Sequence, residues 1–221
     1  MTETPPAPLS ATPRSTITRK KDRGRTERAA LYSLLDEGLV CHLGLLLDGS
    51  PVVLPTGYGR EGDTLYLHGS TGSPSMRAGD GSTDVCVTVT LLDAIVYARS
   101  VNDHSMNYRS AVIHGRPRPV LDPDRKLHGL RVVTDHLAPG SWEHARPVSA
   151  KEFAAVTVLE LALAEASVKV RDGGPSDTEA DVRDGGAWAG VLPLRTSFGP
   201  PEPAADLRPG IPVPEHVAGR G

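Results

Sequence analysis

The sequence predicts a mainly β protein in which antiparallel strands form a small closed or split barrel, with helices in the connections. Apolar runs rich in β-branched residues recur through the middle of the chain, and turn residues separate them. Asp48 and Gly49 join two such runs as a tight hairpin. Segments with helical periodicity are few and fall between the runs. The fourth run is expected to bulge near Leu92 and Asp93. The predicted strands are 39–47, 51–58, 64–68, 84–100, 108–117 and 155–170.

Helix-terminating residues define the connecting helices. Thr26 is predicted to cap a helix that stops at Gly38, and Asp122 is predicted to open a helix that runs to about residue 137. Ser149 is predicted to cap a short helix, and a further short helix is predicted over 74–78. Five or six antiparallel strands with helices in their connections make a small closed or split barrel the economical architecture.

The two ends of the chain differ from the middle. Residues 1–18 are rich in Pro, Thr, Ser and Ala, and we expect a mobile tail. Residues 198–221 are rich in proline, which cannot sustain a helix or a central strand, so we expect an extended strap over the surface. Residues 19–197 are then the folded domain.

Composition narrows the classes of function. The 221 residues carry a formal net charge of −3 and 38% hydrophobic residues, as in an ordinary soluble protein with no nucleic-acid partner. No apolar run approaches the length of a membrane span, so no membrane partner is expected. Cys41 and Cys86 each lie in an apolar run and are expected to be reduced core thiols, which predicts a cytoplasmic protein.

The segment from His68 to Arg77 has the composition of a phosphate-binding loop. Its serines and backbone N–H groups can donate hydrogen bonds, its glycines permit close approach of the main chain to an anion, and its arginine offers a bidentate fork. The same residue types also make an ordinary solvated turn. The loop alone therefore leaves both interpretations open.

Four motifs in order carry a resemblance to a known family. They are the Asp-Gly hairpin with PVVLPTGYGREGDTLYLHGS, the serine and arginine loop, HSMNYRSAVIHG, and a late GAWAGVLPLR block. Over residues 25–195 the chain resembles the flavin-binding split-barrel family, in the pyridoxamine 5'-phosphate oxidase-like branch that includes the nitroimidazole-resistance proteins. This resemblance implies a six-stranded antiparallel split β-barrel with peripheral helices. It also implies a homodimer with FMN bound in a groove at the interface.

The resemblance assigns residues to the cofactor in two regions of the barrel. Those expected at the FMN phosphate are His68, Gly69, Ser70, Ser75 and Arg77. The strand under the flavin ring is expected to contribute Val53, Leu54, Pro55, Thr56 and Tyr58. Proline is unusual in a central strand because it cannot donate to the ladder, and an open edge or bulge facing a ligand would explain Pro55.

Two later segments complete the predicted site. Asn107, Tyr108, Arg109 and Ser110 are expected to line the groove, although Tyr108 and Arg109 are adjacent on a strand and point to opposite faces. Trp188 and Arg195 are expected near the flavin or its substrate, with a core anchor as the alternative for Trp188. His104 is the candidate catalytic proton donor or acceptor, or an axial ligand if the groove holds haem. Trp142 is expected to pack a helix or to close a pocket mouth.

The resemblance implies an FMN-dependent oxidoreductase that reduces or oxidises a small aromatic or heterocyclic molecule. Two alternatives stay open: a non-catalytic flavin or haem carrier, and a deazaflavin-dependent reductase. Pyridoxamine phosphate is disfavoured as the substrate, because the arginine-rich signature of that activity is missing from the sequence. No Rossmann fingerprint, nucleophile elbow or zinc-ligand spacing is present in the sequence, and no metal ligands are predicted.

Overall fold

The computed structural model describes residues 8–9 and 12–220. Its strands are β1 (Gly24–Arg25), β2 (Val40–Leu47), β3 (Ser50–Glu61), β4 (Thr64–Ser70), β5 (Val85–Tyr97), β6 (Ser105–Gly115), β7 (Arg118–Pro119), β8 (Val156–Ala162), β9 (Glu165–Arg171) and β10 (Gly190–Pro193). Its α-helices are α1 (Arg28–Glu37), α2 (Pro74–Arg77), α3 (Pro123–Leu137), α4 (Ser141–His144), α5 (Ala150–Ala155), α6 (Glu179–Asp184) and α7 (Glu215–Ala218).

The strands of the described residues form one antiparallel, 10-stranded sheet in the order β1-β9-β6-β5-β2-β3-β4-β8-β7, with β10 added to β5. This confirms the mainly β class with peripheral helices, while the predicted count of six strands is too low. The single strand predicted over 155–170 is two, β8 and β9, separated by Leu163 and Ala164. Buried Leu163 continues the apolar pattern across the turn, so periodicity does not reveal the break. The short strands β1 and β7 were also missed.

Local chemistry explains where several elements begin and bend. Asp122 caps α3 by accepting a hydrogen bond from Arg125 N, and Ser149 caps α5 in a reciprocal capping box with Glu152. The predicted bulge is confirmed as a register shift between Leu92 and Ala94. The Thr26 cap is wrong: Glu27 occupies the cap position of α1 and makes no side-chain capping bond.

The core lies between α1 and the inner face of the sheet. Leu31, Leu34 and Leu35 of α1 are almost fully buried. Buried Tyr58 of β3 donates its hydroxyl proton to this helix end, with its oxygen 2.7 Å from Leu35 O and 2.8 Å from Gly38 O. This hydrogen bonding fixes the end of α1 against β3.

Both ends of the chain contact the folded domain. Residues 1–7, 10 and 11 of the expected mobile tail lie outside the described residues. In the rest of that segment Leu9 and Ser15 are buried and Arg14 pairs with Glu165, so this part packs against the sheet. The proline-rich strap is mostly exposed, and Arg220 anchors its end by donating to Leu137 O at 2.8 Å. Within the described residues, no helix is both long and apolar enough to cross a bilayer.

Candidate functional site

The sheet opens between β3 and β4. These strands pair only where Tyr58–Glu61 faces Thr64–Leu67. Residues 50–57 of β3 pair with β2, and residues 68–70 of β4 pair with β8. Among the described residues, no strand pairs with the other edge of either stretch. We call the gap between residues 50–57 and 68–70 the split. Backbone groups that lack a strand partner at this edge can bind a ligand.

The stretch of β3 beside the split contains the unusual proline. Pro55 lies opposite His42 of β2 and is exposed. Its nitrogen carries no hydrogen, which suits an edge without a strand partner. Val53 is exposed on the same face, whereas Leu54 packs against the core and Thr56 is half-buried. Only alternate residues of the predicted ring-binding strand can therefore face one ligand.

The serine loop after β4 is ordered by its own hydrogen bonds. Ser70 Oγ accepts from Gly72 N at 3.2 Å, and the hydroxyls of Ser73 and Ser75 are 2.9 Å apart. Arg77 Nη1 donates to Gly72 O at 2.7 Å, which holds the exposed guanidinium beside the loop. The Ser70 hydroxyl still has a proton to donate, and so do the other N–H groups of Arg77. The loop is thus preformed with donors available.

Gly69 has a packing role that the loop pattern did not predict. A Cβ atom at this position would lie 2.9 Å from Cγ of Met76, whose side chain is buried beneath the strand. The glycine is therefore needed for the close approach of α2 to β4. Exposed His68 precedes it on the same side of the split, and its imidazole makes no hydrogen bond to another described residue.

One face of the sheet is turned outward and is strongly apolar. Residues in register share a face, so His42, Pro55 and Thr88 are neighbours on it. Val53 is 64% exposed, and Leu46 57%. The bulge shifts the alternation of β5 by one residue, so Leu92, Ile95 and Tyr97 all lie on this face. We call it the outer face. Its exposed large apolar residues are Val40, Leu46, Val53, Leu92, Ile95, Tyr97, Met106 and Leu192. Polar residues such as His42 and Thr88 lie among them. So many exposed large apolar side chains on one face indicate a surface that a ligand or partner covers.

The β6 residues predicted to line the groove divide between two faces. Tyr108 and Ser110 point to the outer face, and Asn107 is buried on the inner one. Arg109 also points inward and donates to Glu37 Oε1 at 2.7 Å and to Asp93 Oδ1 at 2.8 Å. These two carboxylates occupy its guanidinium, so the structure gives Arg109 a role in joining α1 to the bulge.

His104 stands in a row of aromatic rings. Its ring centroid is 5.8 Å from that of Tyr97, which is 5.8 Å from that of Trp188. Its Nδ1 accepts a hydrogen bond from Ala98 N at 2.9 Å. Trp188 is 70% exposed, so it is not a core anchor, and Arg195 beyond β10 is exposed. Tyr97 was missed from sequence, although a tyrosine ending a long apolar strand in an aromatic-poor chain was the available signal.

The predicted site residues therefore form two groups. One group surrounds the split, and the other lies at the far end of β5 and the start of β6. Thr88, beside His42, is separated from Tyr97 by roughly 30 Å of strand at about 3.3 Å per residue. Ser110 is nearer, because it pairs with Thr90, two residues from Thr88. Within one chain the split therefore lies far from His104 and Trp188, whose rings are beside Tyr97.

A cavity lies between α3, α4 and α5. It has a volume of about 610 Å³ and is lined by Leu127, Trp142, Val148 and Glu152, among others. The helix α5 connects it to the serine loop, because Ala155 O accepts a hydrogen bond from Thr71 N at 3.0 Å. Trp142 lines this cavity, and its expected role in closing a pocket mouth stays a prediction. Across the described residues, no three His, Cys, Asp or Glu side chains converge as a metal site.

An antiparallel barrel that opens at one edge, with a serine loop beside the opening, defines a split-barrel protein. The sequence profile of the family described as pyridoxamine 5'-phosphate oxidase matches residues 27–170, and the chain belongs to this family. The resemblance stated from the sequence is confirmed. No curated protein sequence matches the chain.

Solved structures extend the comparison over nearly the whole chain. The flavocytochrome Anf3 from Azotobacter vinelandii is 39% identical with a TM-score of 0.91, and the match covers 97% of this chain and 99% of that one. The FAD and haem binding protein from Mycobacterium smegmatis is 40% identical with a TM-score of 0.85, over 90% of this chain and 97% of that one. A candidate 5-nitroimidazole antibiotic resistance protein from Bacteroides thetaiotaomicron shares the fold at 24% identity, with a TM-score of 0.57, over 66% and 86% of the chains.

Proposed function

We propose that the protein is a flavocytochrome-type oxidoreductase that binds a flavin and a haem as a homodimer in the cytoplasm. The observation that carries this proposal is the pair of relatives, 39% and 40% identical over nearly their full length, described as a flavocytochrome and as an FAD and haem binding protein. When bound, a flavin supplies hydride or electron transfer and a haem supplies single-electron transfer. The protein's own residues position both groups.

The split and the serine loop fit a flavin. The unpaired edge of residues 50–57 offers backbone donors and acceptors to the polar edge of a ring, and exposed Val53 and Pro55 offer apolar contact. Ser70 and Arg77 offer donors to a phosphate. We propose FAD rather than the FMN predicted from sequence, because the relative from M. smegmatis is described as binding FAD. FMN and a deazaflavin are the competing outcomes.

Dimerisation would cover the outer face and join the two groups of site residues. The exposed apolar side chains on this face run from the split to β10. Packing the outer faces of two copies would remove this surface from water and could bring His104, Tyr97 and Trp188 of one copy to the split of the other. The small aromatic or heterocyclic substrate predicted from sequence would then bind where the two copies meet.

The structure favours His42 and His68 over His104 as haem ligands. His104 Nδ1 accepts a hydrogen bond, so its proton lies on Nε2, whereas ligation through Nε2 requires that atom to be free of a proton. His68 lies at the edge of the split and His42 lies one strand in from it, opposite Pro55, and neither imidazole makes a hydrogen bond to another described residue. Although its ring reaches solvent, the surrounding protein lowers the pKa of His68, which favours the neutral, ligating imidazole.

Spectroscopy of the full-length protein, as purified and after reconstitution with flavin and haem, tests this function. We expect flavin bands together with a Soret band, FAD in the heat-released extract, and a dimer by light scattering. Flavin bands without a Soret band would indicate an oxidoreductase that uses flavin alone. A Soret band without flavin bands would indicate a haem carrier. A protein that stays colourless after reconstitution and gains no thermal stability from either group would overturn the proposal.

Single-residue variants test which histidines bind the haem without affecting the flavin. His68→Ala should lose or shift the Soret band and retain flavin, and His42→Ala tests the second ligand in the same way. His128→Ala is the matched control, because His128 is an exposed histidine paired with Glu61, which lies where β3 and β4 pair and outside the split. Soret bands identical in all three variants would remove His42 and His68 as ligands.

A further inference from the structure

Three arginines converge at the end of β9 without a carboxylate partner. Many arginines elsewhere in the protein pair with acids, as Arg14 does with Glu165 and Arg60 with Asp36. At the end of β9, Arg23, Arg25 and Arg171 line one cavity, and none of them forms an ion pair with a described residue. Guanidinium groups repel each other, so their convergence requires a physical explanation.

Arg171 is the most unusual of the three because it is buried, with 6% of its surface exposed. It donates only to neutral oxygens: Oδ1 of buried Asn107, Gly173 O at 2.9 Å and Gly174 O at 2.9 Å. Burial lowers the pKa of Arg171, and the charge of Arg23 lowers it further, against smaller opposing effects of Tyr108 and Asp172. A buried cation without a counter-ion is costly, and an anion would offset that cost.

The charges of the other two arginines are not paired with a carboxylate. Arg25 donates to two backbone carbonyls, Asp22 O at 3.3 Å and Gly24 O at 3.1 Å. The Arg23 side chain makes no hydrogen bond or ion pair within the described part of the chain. The cavity also contains Ser176, a hydroxyl donor. Its acidic residues, Asp22 and Asp172, are exposed to solvent, where their repulsion of an anion is screened.

We propose that this cavity, the Arg171 pocket, binds a phosphate group, either as inorganic phosphate or as the phosphate of a small ester. Its volume of about 210 Å³ is below the range of pockets that enclose a drug-sized ligand, so it encloses one small group. Three guanidiniums and a hydroxyl suit a tetrahedral dianion with several acceptor oxygens better than a planar carboxylate, which one arginine satisfies. The pocket shares no lining residue with the split or the serine loop, although Arg171 donates to Asn107, a residue expected to line the flavin groove.

Calorimetric titration of the full-length protein with sodium phosphate, at constant ionic strength set by sodium chloride, tests the pocket. We expect saturable binding in the wild type. Arg23→Gln should weaken phosphate binding roughly tenfold to hundredfold through loss of a charged hydrogen-bond donor. This variant should fold normally because the Arg23 side chain has no described partner. Arg171→Lys keeps the positive charge and loses the bidentate guanidinium, so it should also weaken phosphate binding.

Arg183→Gln is the matched control, because Arg183 is exposed and pairs only with its neighbour Asp184. It should bind phosphate as the wild type does. Titration with adenosine monophosphate distinguishes the sources: tighter binding than phosphate indicates an ester, and weaker binding indicates the free anion. No saturable heat in the wild type, or equal affinity of the Arg23→Gln and Arg183→Gln variants, would overturn the proposal. Flavin content, read from the visible spectrum of each sample, tests the cofactor assignment separately.

Discussion

His104 and Ala98 are joined by a hydrogen bond in which the backbone N–H of Ala98 donates to Nδ1 of the imidazole at 2.9 Å. Ala98 is buried, so this N–H has no access to water as an alternative partner. The bond fixes the turn between β5 and β6 and leaves the Nε2 proton to point elsewhere. His104 thus has a structural task in addition to any proton transfer.

Replacing His104 with phenylalanine should keep the ring contact with Tyr97 and leave the Ala98 N–H unsatisfied. We expect a loss of about 1–3 kcal/mol in the free energy of unfolding, measured by denaturant titration. The control is His128→Phe at an exposed pair with Glu61, which should cost less than about 1 kcal/mol. Equal losses in the two variants would show that the Ala98 bond contributes nothing.

Substitutions at two glycines of β3 test stability and ligand binding independently. A Cβ on Gly59 would lie 2.6 Å from Val132 O, in the backbone of α3, so Gly59→Ala should destabilise the protein by about 1–3 kcal/mol. A Cβ on Gly57 would meet nothing within 4 Å, because this residue lies beside the split. Gly57→Ala should therefore keep the melting temperature and reduce flavin content. Normal flavin occupancy in Gly57→Ala would argue against a cofactor that approaches this backbone.

Much of the fold follows from local chemistry that the sequence displays. The Asp48-Gly49 hairpin, the Asp122 cap and the bulge near Asp93 each depend on residues that are close in the chain. The open edge at Pro55 also follows from one residue, since a proline without an N–H suits an unpaired edge. These features could be predicted because near neighbours determine them.

The site could be predicted only in part because its contacts join distant segments. Arg109 is held by Glu37, which is 72 positions away in the chain, and no pattern in the sequence links them. Gly69 is explained by Met76 packing beneath the strand, which only the folded structure shows. The convergence of Arg23 and Arg171 likewise depends on the pairing of β1 with β9.

Arg109 should affect stability more than flavin binding. Its hydrogen bonds lower the pKa of Glu37 below the usual 4.5, so the folded state gains stability above that pH and loses it as the pH falls through the folded pKa. Arg109→Met should cost about 1 kcal/mol near neutral pH, and this difference from the wild type should shrink below pH of about 4.5. Denaturant titrations across this range, with Arg183→Met as the exposed control, provide the measurement. Loss of flavin without loss of stability would instead place Arg109 at the cofactor.

The N-terminal segment should release from the sheet in acid. Hydrogen bonds from Arg14 and Thr12 lower the pKa of Glu165 from 4.5 to about 2, so the docked state is favoured above about 4.5 and loses this contribution as the pH falls toward 2. Glu165→Gln should produce the same release at neutral pH, because the neutral amide pairs weakly with Arg14. Hydrogen exchange at Leu9 N, which donates to Thr26 O at 2.8 Å, reports docking.

Glu143→Gln is the control for this release, since Glu143 pairs with Arg131 between α3 and α4 and does not touch the segment. It should leave the exchange of Leu9 unchanged. In Glu165→Gln that exchange should accelerate at every pH above about 4.5, while the core amides of β5 keep their protection. If Leu9 exchanges equally slowly in the wild type and in Glu165→Gln, the segment is held by burial of Leu9 itself, and the carboxylate contributes nothing to docking.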